Sequence, residues 1–381
     1  MPASFTIIGG GIAGLSTAIA LQRAGIESTI FEAAPAIHAI GAGLALSANA
    51  LKAFKRLDMM EAVTEQGRLL DLFTVYDQHG KPITRVDSKV LGEKYGIGNL
   101  TIHRAALHAL LQSEIDPSFI HLNKRLTSLD QQTDQVVLSF DDGSTHATNF
   151  LIAADGVHSA VRSSLLPDAQ PRYAGYTCWR AVIDNSGLQL SETSETWGQQ
   201  GRFGITPLAD NKIYWYACIN GPQNDPRFRQ YKVADLLKHF GGFHAPIPVI
   251  LQQTKDEDLI WNDIIDLKPL RHFAYGNIVL TGDAAHATTP NMGQGGCQAI
   301  EDAVVLADEL RGATDIPAAF RRFEQRRLKR THAIVNTSRI VGRVAQWENK
   351  WLIGIRDFMF RRIPRSVNER QMKSLFEVDF E

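Results

Sequence analysis

Apolar residues follow two different rhythms along this chain, and the change of rhythm marks its architecture. Phe5 to Ile8 is a short, mostly apolar run, as expected of a strand buried on both faces of a parallel sheet. Helical periodicity follows from about Ile12 to Ala24 and stops at Gly25, the position of a C-terminal cap. Ser28 to Phe31 is a second strand, closed by Glu32. A loop around Ile40-Gly41-Ala42-Gly43 leads to a helix from about Ser47 to Leu57. Residues 67–86 read as a β-hairpin, LLDLFTVYD and PITRVD about the turn QHGK. A helix is predicted over Ala105 to Leu111, then strands over Ile120 to Leu126 and Gln135 to Phe140. Leu151 to Gly156 reads as a buried strand ending in Asp155-Gly156.

From Tyr173 to about Asn220 the rhythm shifts. Stretches rich in Tyr, Trp, Thr, Ile and Val (YTCWRAVI, GRFGITPL, KIYWYACI) alternate with Gly and Asn turns, the pattern of an antiparallel sheet. Residues 230–257 look helical. The first rhythm resumes at Asn277, with a strand over Ile278 to Thr281, a helix from about Gly295 through Leu310, and a helical tail from Pro317 to about Asn349. The expected class is α/β with an α+β insertion: a Rossmann-like parallel-sheet domain, an inserted and mostly antiparallel β-sheet domain, and C-terminal helices. The boundaries expected are residues 1–70, 98–170 and 272–345 for the first, 71–97 and 171–271 for the second, and 346–381 for the tail. At 381 residues the chain exceeds the usual single domain.

Composition narrows the class. Apolar content of 44% and charge of 21% are ordinary for a globular protein, and a net charge of −1 gives no global pull toward nucleic acid or membrane. The cysteines, Cys178, Cys218 and Cys297, show no CxxC spacing, and the histidines no metal spacing. No disulfide framework or metal site is expected, and the reading is a cytoplasmic protein. The apolar N-terminus lacks a basic leader and is broken by three consecutive glycines, so a strand is favoured over a signal peptide.

The turn after the first strand carries chemistry. Gly9, Gly11 and Gly14 stand at GxGxxG spacing. Gly9 allows the tight turn, Gly11 the close approach of a pyrophosphate, and Gly14 close packing of helix on sheet. The helix N-terminus offers free N–H groups to phosphate. Glu32 can accept from both ribose hydroxyls, which favours a 2′-hydroxyl as in FAD or NAD. Far along the chain, Asp283 follows the strand Ile278 to Thr281, placed to accept from a polyol. Gly293, Gly295 and Gly296 expose backbone N–H groups at a helix start, suited to charge on a reduced flavin. Together the two motifs predict one FAD spanning both.

Three signatures, GGGIAG with Glu32, AADGVHSAVR from Ala153 to Arg162, and GDAAHATTPNMGQGGCQAIEDA from Gly282, give the chain a resemblance to the class A flavoprotein aromatic hydroxylases, the para-hydroxybenzoate hydroxylase-like family. It covers about residues 5–345 and is strongest toward the branch with bacterial urate hydroxylase and zeaxanthin epoxidase. The resemblance implies that Ala13 and Ala33 assist Glu32 through the backbone, Ala45 lies near the cofactor's middle, and Arg104 binds the pyrophosphate. It implies that the Leu126 backbone holds adenine, and that Asp155 helps place the phosphates and shapes the nicotinamide approach. Pro290 and the backbone of Gly293, Gln294, Gly295, Gly296 and Cys297 would line the isoalloxazine.

The same resemblance implies a monooxygenase in which non-covalent FAD takes hydride from transient NADH or NADPH. A flavin C(4a)-hydroperoxide then oxidises a small electron-rich aromatic or heteroaromatic substrate. No second dinucleotide fingerprint is present, as befits a donor that only visits. A reductase, dehydrogenase or epoxidase on the same fold is the alternative, and a non-catalytic flavoprotein a more distant one. Arg202 and Tyr214 are the implied substrate-positioning residues, with a packing role for each the competing reading. Small substrate and O2 are the expected partners, without nucleic acid or integral membrane contact, in a monomer or homodimer. His286 is expected to make a local hydrogen bond, and the basic run Phe320 to Arg330 to be a solvated helix face.

Overall fold

The computed structural model describes residues 4–37, 43–88, 98–363 and, singly or in short pieces, 92, 373, 375–378 and 380. The loop expected at Ile40-Gly41-Ala42, and parts of the expected segments 71–97 and 346–381, lie outside the described residues.

A six-stranded sheet forms the base. Its order is Ala274–Tyr275, Ile278–Leu280, Phe150–Ala153, Phe5–Ile8, Ser28–Phe31, Ile120–His121. All neighbours are parallel except the edge hairpin of the first two. Ile7, Leu151, Ile152, Val279 and Leu280 are fully buried, and each such side chain stabilises the fold by about 1.5–3 kcal/mol. Parallel pairing brings the carboxyl ends of four strands to one edge, so that Gly9, Glu32, Asp155 and Asp283 all emerge there. This is where an open α/β sheet places its ligand. The helix Ile12–Arg23 leaves that edge and packs against the helix Gly295–Leu310.

A seven-stranded sheet carries the inserted rhythm. Its order is Ile260–Asp266, Arg172–Asp184, Lys212–Asn220, Gly201–Pro207, Thr193–Gly198, Leu72–Asp77, Pro82–Asp87. Every pair is antiparallel except Thr193–Gly198 with Leu72–Asp77. The period-two alternation of strands separates its faces. Trp179, Ala181, Phe203, Ile205, Trp215 and Ala217 form an apolar core with the helices Val233–Phe240 and Ile247–Gln253. Cys178, Arg180, Arg202, Gly204, Tyr214, Tyr216 and Cys218 occupy the opposite face. A small sheet, Gly43–Leu46, Asn99–His103 and Gly67–Leu70, joins the two large ones. Gly43 lies directly on the Tyr214 ring, where an added Cβ would stand 2.7 Å from it. Thr101 Oγ1 donates to Pro207 O at 2.7 Å.

Local differences from the sequence reading have physical causes. The strand expected to run unbroken into the hairpin splits at Asp71. Gly67–Leu70 pairs with Asn99–His103, while Leu72–Asp77 enters the large sheet. The strand expected over Ile120 to Leu126 is two elements, Ile120–His121 and the start of Leu126–Gln131, separated by Asn123 with φ 55. The basic run is not wholly a solvated face. Arg321, Arg322 and Lys329 face solvent, but Arg327 is buried inside an ion network. A helix can place residues on opposite sides within one turn, so counting charges alone could not separate them.

Candidate cofactor and substrate site

At the sheet edge lies a crevice of about 290 Å³ lined by Gly9, Gly11, Glu32, Ala33, Leu126, Asp155 and their neighbours. Gly9 adopts φ +106, and a Cβ there would meet Ala154 O at 2.4 Å. A Cβ on Gly14 would sit 1.9 Å from Gly9 O, so the helix can rest on the turn only with glycine. Gly11 differs: nothing lies within 4 Å of its missing side chain. Its backbone borders open space at the helix start, which suits close approach of a phosphate. Glu32 accepts from Gly10 N at 2.6 Å and from Ala34 N at 2.8 Å. Each carboxylate oxygen retains a lone pair for a diol.

Asp155 Oδ2 accepts from the N–H groups of Ala160 and Val161 at 2.8 and 3.2 Å, whereas its Oδ1 is buried without a partner. Burial raises its carboxyl above the ordinary value, against these hydrogen bonds. Buried Arg162 donates to Val157 O at 2.6 Å and Ala284 O at 3.1 Å, and so ties the loop of Asp155 to the loop of Asp283. Its position inside the second signature was visible in sequence, but its role as a staple was not. Asp283 is exposed at the same sheet edge, beyond the lining of that crevice, and no side-chain hydrogen bond to it is seen among the described residues. Desolvation raises its carboxyl above the ordinary value, against the charges of His286, Arg104 and Arg162. Arg104 opens the helix Arg104–Ser113 with its side chain exposed.

The loop after Asp283 is held from behind. Asp302 accepts from Gly282 N at 2.8 Å, His286 Nε2 at 2.6 Å and Arg327 Nε at 2.6 Å. Burial opposes ionisation of Asp302, yet His286 and Arg327 outweigh it and hold the carboxyl at about 2. Glu301 accepts from Arg327 at 2.5 Å and from Arg330 at 2.8 Å, and also binds Asn49. The hydrogen bond expected of His286 is therefore made inside a buried network. Pro290 is exposed at the start of the turn Pro290–Met292, and Gly293 follows with φ +62. The Gln294 side chain turns inward to Asn49, Ser47 and Gln298. Cys297 Sγ also turns inward, toward Ser47 N at 3.4 Å and Ala45 O at 3.6 Å. From Gly293 to Cys297 only backbone is thus free to meet a ligand. Ala45 stands near Gly293 and Ala13 near Gly282.

The polar face of the large sheet comes next. Arg202 is buried and donates to Glu195 Oε1 at 3.0 Å and to Asn291 Oδ1; its guanidinium stacks 5.0 Å from the Tyr176 ring. Tyr176 OH donates to the same Asn291 oxygen at 3.0 Å. Asn291 is fixed in turn by Thr289 Oγ1 and Ser338 O. Arg202 therefore reaches the Pro290–Met292 turn directly. Glu195 and Asn291 were not singled out in sequence. The visible sign was a hairpin, TSETWGQQGRFGITP, bearing one acid and one base near its tip. Tyr214 is half-buried beside Tyr216, ring centres 6.0 Å apart. Burial pushes its phenol well above the ordinary value, so it stays a neutral donor at physiological pH. Cys178 and Cys218 lie opposite each other across the strand pair. The neighbouring Cys218 thiol lowers the Cys178 thiol below its ordinary value, while burial pushes Cys218 up.

What the crevice leaves unfilled decides whether these groups fit a dinucleotide. Open space at Gly11 and an orphaned buried oxygen on Asp155 border the crevice, and the exposed Asp283 follows the neighbouring strand at the same sheet edge. The fold and site define a flavin-binding α/β protein with a second, mostly antiparallel sheet.

Comparison with known proteins makes the assignment specific. Residues 3–338 match the family described as FAD binding domain, and the chain belongs to that family. It is 38% identical over 371 residues to the aurachin C monooxygenase/isomerase of Stigmatella aurantiaca, with 97% of each chain covered. It is 32% identical to the 2-heptyl-3-hydroxy-4(1H)-quinolone synthase of Pseudomonas aeruginosa, again over 97% of each. Klebsiella pneumoniae HpxO, in a crystal structure with FAD and uric acid, superposes with a TM-score of 0.90 at 29% identity, covering 98% of this chain and 96% of that one. The protein is an FAD-dependent monooxygenase of the aromatic-hydroxylase type. Among the described residues no helix is long and apolar enough to cross a membrane.

Proposed function

We propose that the protein uses NAD(P)H and O2 to hydroxylate a neutral, carbonyl-bearing heteroaromatic ring of the 4-quinolone type. The observation that carries this reading is the pairing of Arg202 on the sheet face. Arg202 already has Glu195 as its buried counter-ion, so an incoming carboxylate would leave Glu195 uncompensated, a costly arrangement in a buried site. A neutral ring with a carbonyl needs donors rather than a net positive charge, and the Tyr214 phenol supplies one. One relative that matches over nearly its whole length, the 2-heptyl-3-hydroxy-4(1H)-quinolone synthase, is named for a quinolone, which supports the same choice.

FAD, when bound, supplies the redox chemistry of hydride acceptance and oxygen activation. The chain's residues do the rest. Gly9, Gly11 and Gly14 seat the pyrophosphate, with Arg104 and Asp155 beside it. Glu32 takes the ribose, Ala13 and Ala33 border it, and the Leu126 backbone holds adenine. Asp283 takes the ribityl chain, Ala45 borders the cofactor's middle, and Pro290 with the backbone of Gly293, Gln294, Gly295, Gly296 and Cys297 lines the ring. Arg202 acts through Asn291, holding the Pro290 turn against the sheet, while Tyr214 orients the substrate. Residues 1–70, 98–170 and 272–345 make the cofactor domain, 71–97 and 171–271 the substrate domain, and 346–381 a tail. The enzyme works in the cytoplasm, where NAD(P)H is at hand. No residue of a second chain is needed for this assignment, so a monomer or a homodimer serves equally.

The test is a panel of 2-alkyl-4-quinolones, urate and hydroxybenzoates, scored for stimulated NAD(P)H oxidation and for a product one oxygen heavier. Coupled oxidation of a quinolone supports the reading. A kcat/KM higher for urate or a benzoate overturns the substrate class.

A further inference from the structure

The helix Lys350–Phe360 presents a surface that the reaction does not use. Its inner side is firmly seated. Arg356 and Asp357 are buried, Arg356 donates to Ala345 O at 3.1 Å and stacks 5.0 Å from the Trp197 ring, and Phe360 meets Trp197 edge-on at 5.3 Å. Just beyond it, Arg361 bridges to Asp77 Oδ2 at 2.8 Å. The outer side is apolar. Trp351, Leu352, Ile355, Phe358 and Met359 are 83%, 42%, 54%, 57% and 61% exposed. Their spacing of i, i+1, i+4, i+7 and i+8 makes one stripe of a helix. Stripes of this kind mark interaction surfaces.

The chemistry at the rim selects the occupant. Lys350 opens the helix, Arg361 and Arg362 close it, and Arg362 lies 3.6 Å from the Phe358 ring centre. The helix's one acid, Asp357, is turned inward and paired with Arg356. An apolar stripe with an exposed Trp and cations at both ends fits the boundary of an anionic bilayer, where aromatic side chains sit at headgroup level and lysine and arginine meet phosphate. A second copy fits less well. Two such helices set antiparallel would bring Lys350 against Arg362, and set parallel would align like with like, whereas Arg361 is already paired with Asp77; cations meet cations either way. Nor does the chain's own end cover the stripe with its described residues, since Leu375 and Phe376 pack against Ala48 and Ile334 instead.

We infer that the Lys350–Phe360 helix docks the enzyme reversibly on the surface of anionic lipid bilayers, without crossing them. Such docking would suit a substrate carrying an alkyl chain, but it rests on this helix alone and stands whether or not the quinolone reading holds.

The experiment is flotation of the full-length FAD-loaded enzyme with two vesicle types, pure phosphatidylcholine and phosphatidylcholine with about one-third phosphatidylglycerol. The wild type floats with the anionic vesicles, and less so in high salt. The double variant Trp351→Ser/Phe358→Ser weakens this partition by roughly tenfold or more, and Lys350→Glu/Arg362→Glu also weakens it. Both variants keep FAD and their turnover of a soluble substrate, because these side chains touch neither site. Failure of the wild type to float overturns the inference, as does equal flotation of the Trp351/Phe358 variant. A wild-type dimer in solution that Trp351→Ser/Phe358→Ser converts to monomer, with no flotation, assigns the stripe to a second copy and overturns it too.

Discussion

The crevice at the edge of the parallel sheet and the polar face of the seven-stranded sheet are built on opposite principles. In the proposed cofactor site, backbone carries much of the contact alongside Glu32, Arg104, Asp155 and Asp283. Gly11 and the segment Gly295 to Cys297 present backbone, while the Gln294 and Cys297 side chains point inward; the Gly293 N–H, expected to be exposed, instead donates to Pro290 O at 2.9 Å. The sheet face is built of side chains whose neighbours come from other elements: Arg202 with Glu195 on the next strand, Tyr176 with Asn291 on the Pro290–Met292 turn. A backbone site must keep side chains out of the way, and that requirement leaves glycines at fixed spacing. A side-chain site depends on strand register, which a single strand's residues do not announce.

The largest effect expected strikes the scaffold behind the crevice. Arg327→Met leaves Glu301 and Asp302 buried with one cation fewer, and should cost about 3–5 kcal/mol of stability in a denaturant titration. The same network carries an acid dependence. Because the folded state lowers the Asp302 carboxyl to about 2, its contribution is complete above about pH 4 and is lost as the pH falls toward 2. Asp302→Asn should flatten stability across that window. An unchanged profile would remove the network from the account of the fold.

Next comes a comparison of glycines. Gly11→Ala should leave the apoprotein folded, since the new methyl meets nothing, yet weaken FAD binding by about 1–3 kcal/mol through crowding of the phosphate. Equal melting temperatures with unequal FAD affinity confirm that Gly11 serves the ligand. Asp283→Ala should cost about 1–2 kcal/mol in FAD affinity, one hydrogen-bonded polyol contact. Unchanged affinity would place the ribityl chain elsewhere.

The smallest effect on the cofactor, and the most telling about the sheet, belongs to Arg202→Lys. FAD should stay bound, while apparent KM rises and NAD(P)H oxidation partly uncouples from hydroxylation. Lysine cannot span both Glu195 and Asn291 with one rigid fork. Glu195→Gln should shift the preference toward anionic rings, because it frees the charge of Arg202. If neither variant changes coupling or preference, the sheet face is not the substrate wall.

The same contrast explains what sequence alone revealed. The parallel sheet, its glycine turn and Glu32 followed from local pattern, because each feature lies within one strand–turn–helix unit. The loop of Asp283 was legible for the same reason. Arg162 was seen as part of a motif, but its bonds to Val157 and Ala284 depend on the meeting of two distant loops. Arg327 was hidden in a basic run because burial of one face is set by the helix it packs against. Glu195 and Asn291 carried no spacing signature at all. Asp71, where a predicted hairpin strand divides between two sheets, shows the same limit at the level of fold: the partner strand, not the strand's own residues, decided the break.

Oxygen transfer is the central claim, and isotope labelling addresses it most directly. The FAD-loaded enzyme is run with NAD(P)H and a stimulating heteroaromatic substrate under ¹⁸O2. Product carrying one ¹⁸O atom, with none derived from labelled water in the reciprocal experiment, is the result this account requires. Substrate oxidised or reduced without gain of ¹⁸O would contradict it and leave a dehydrogenase or reductase on the same fold.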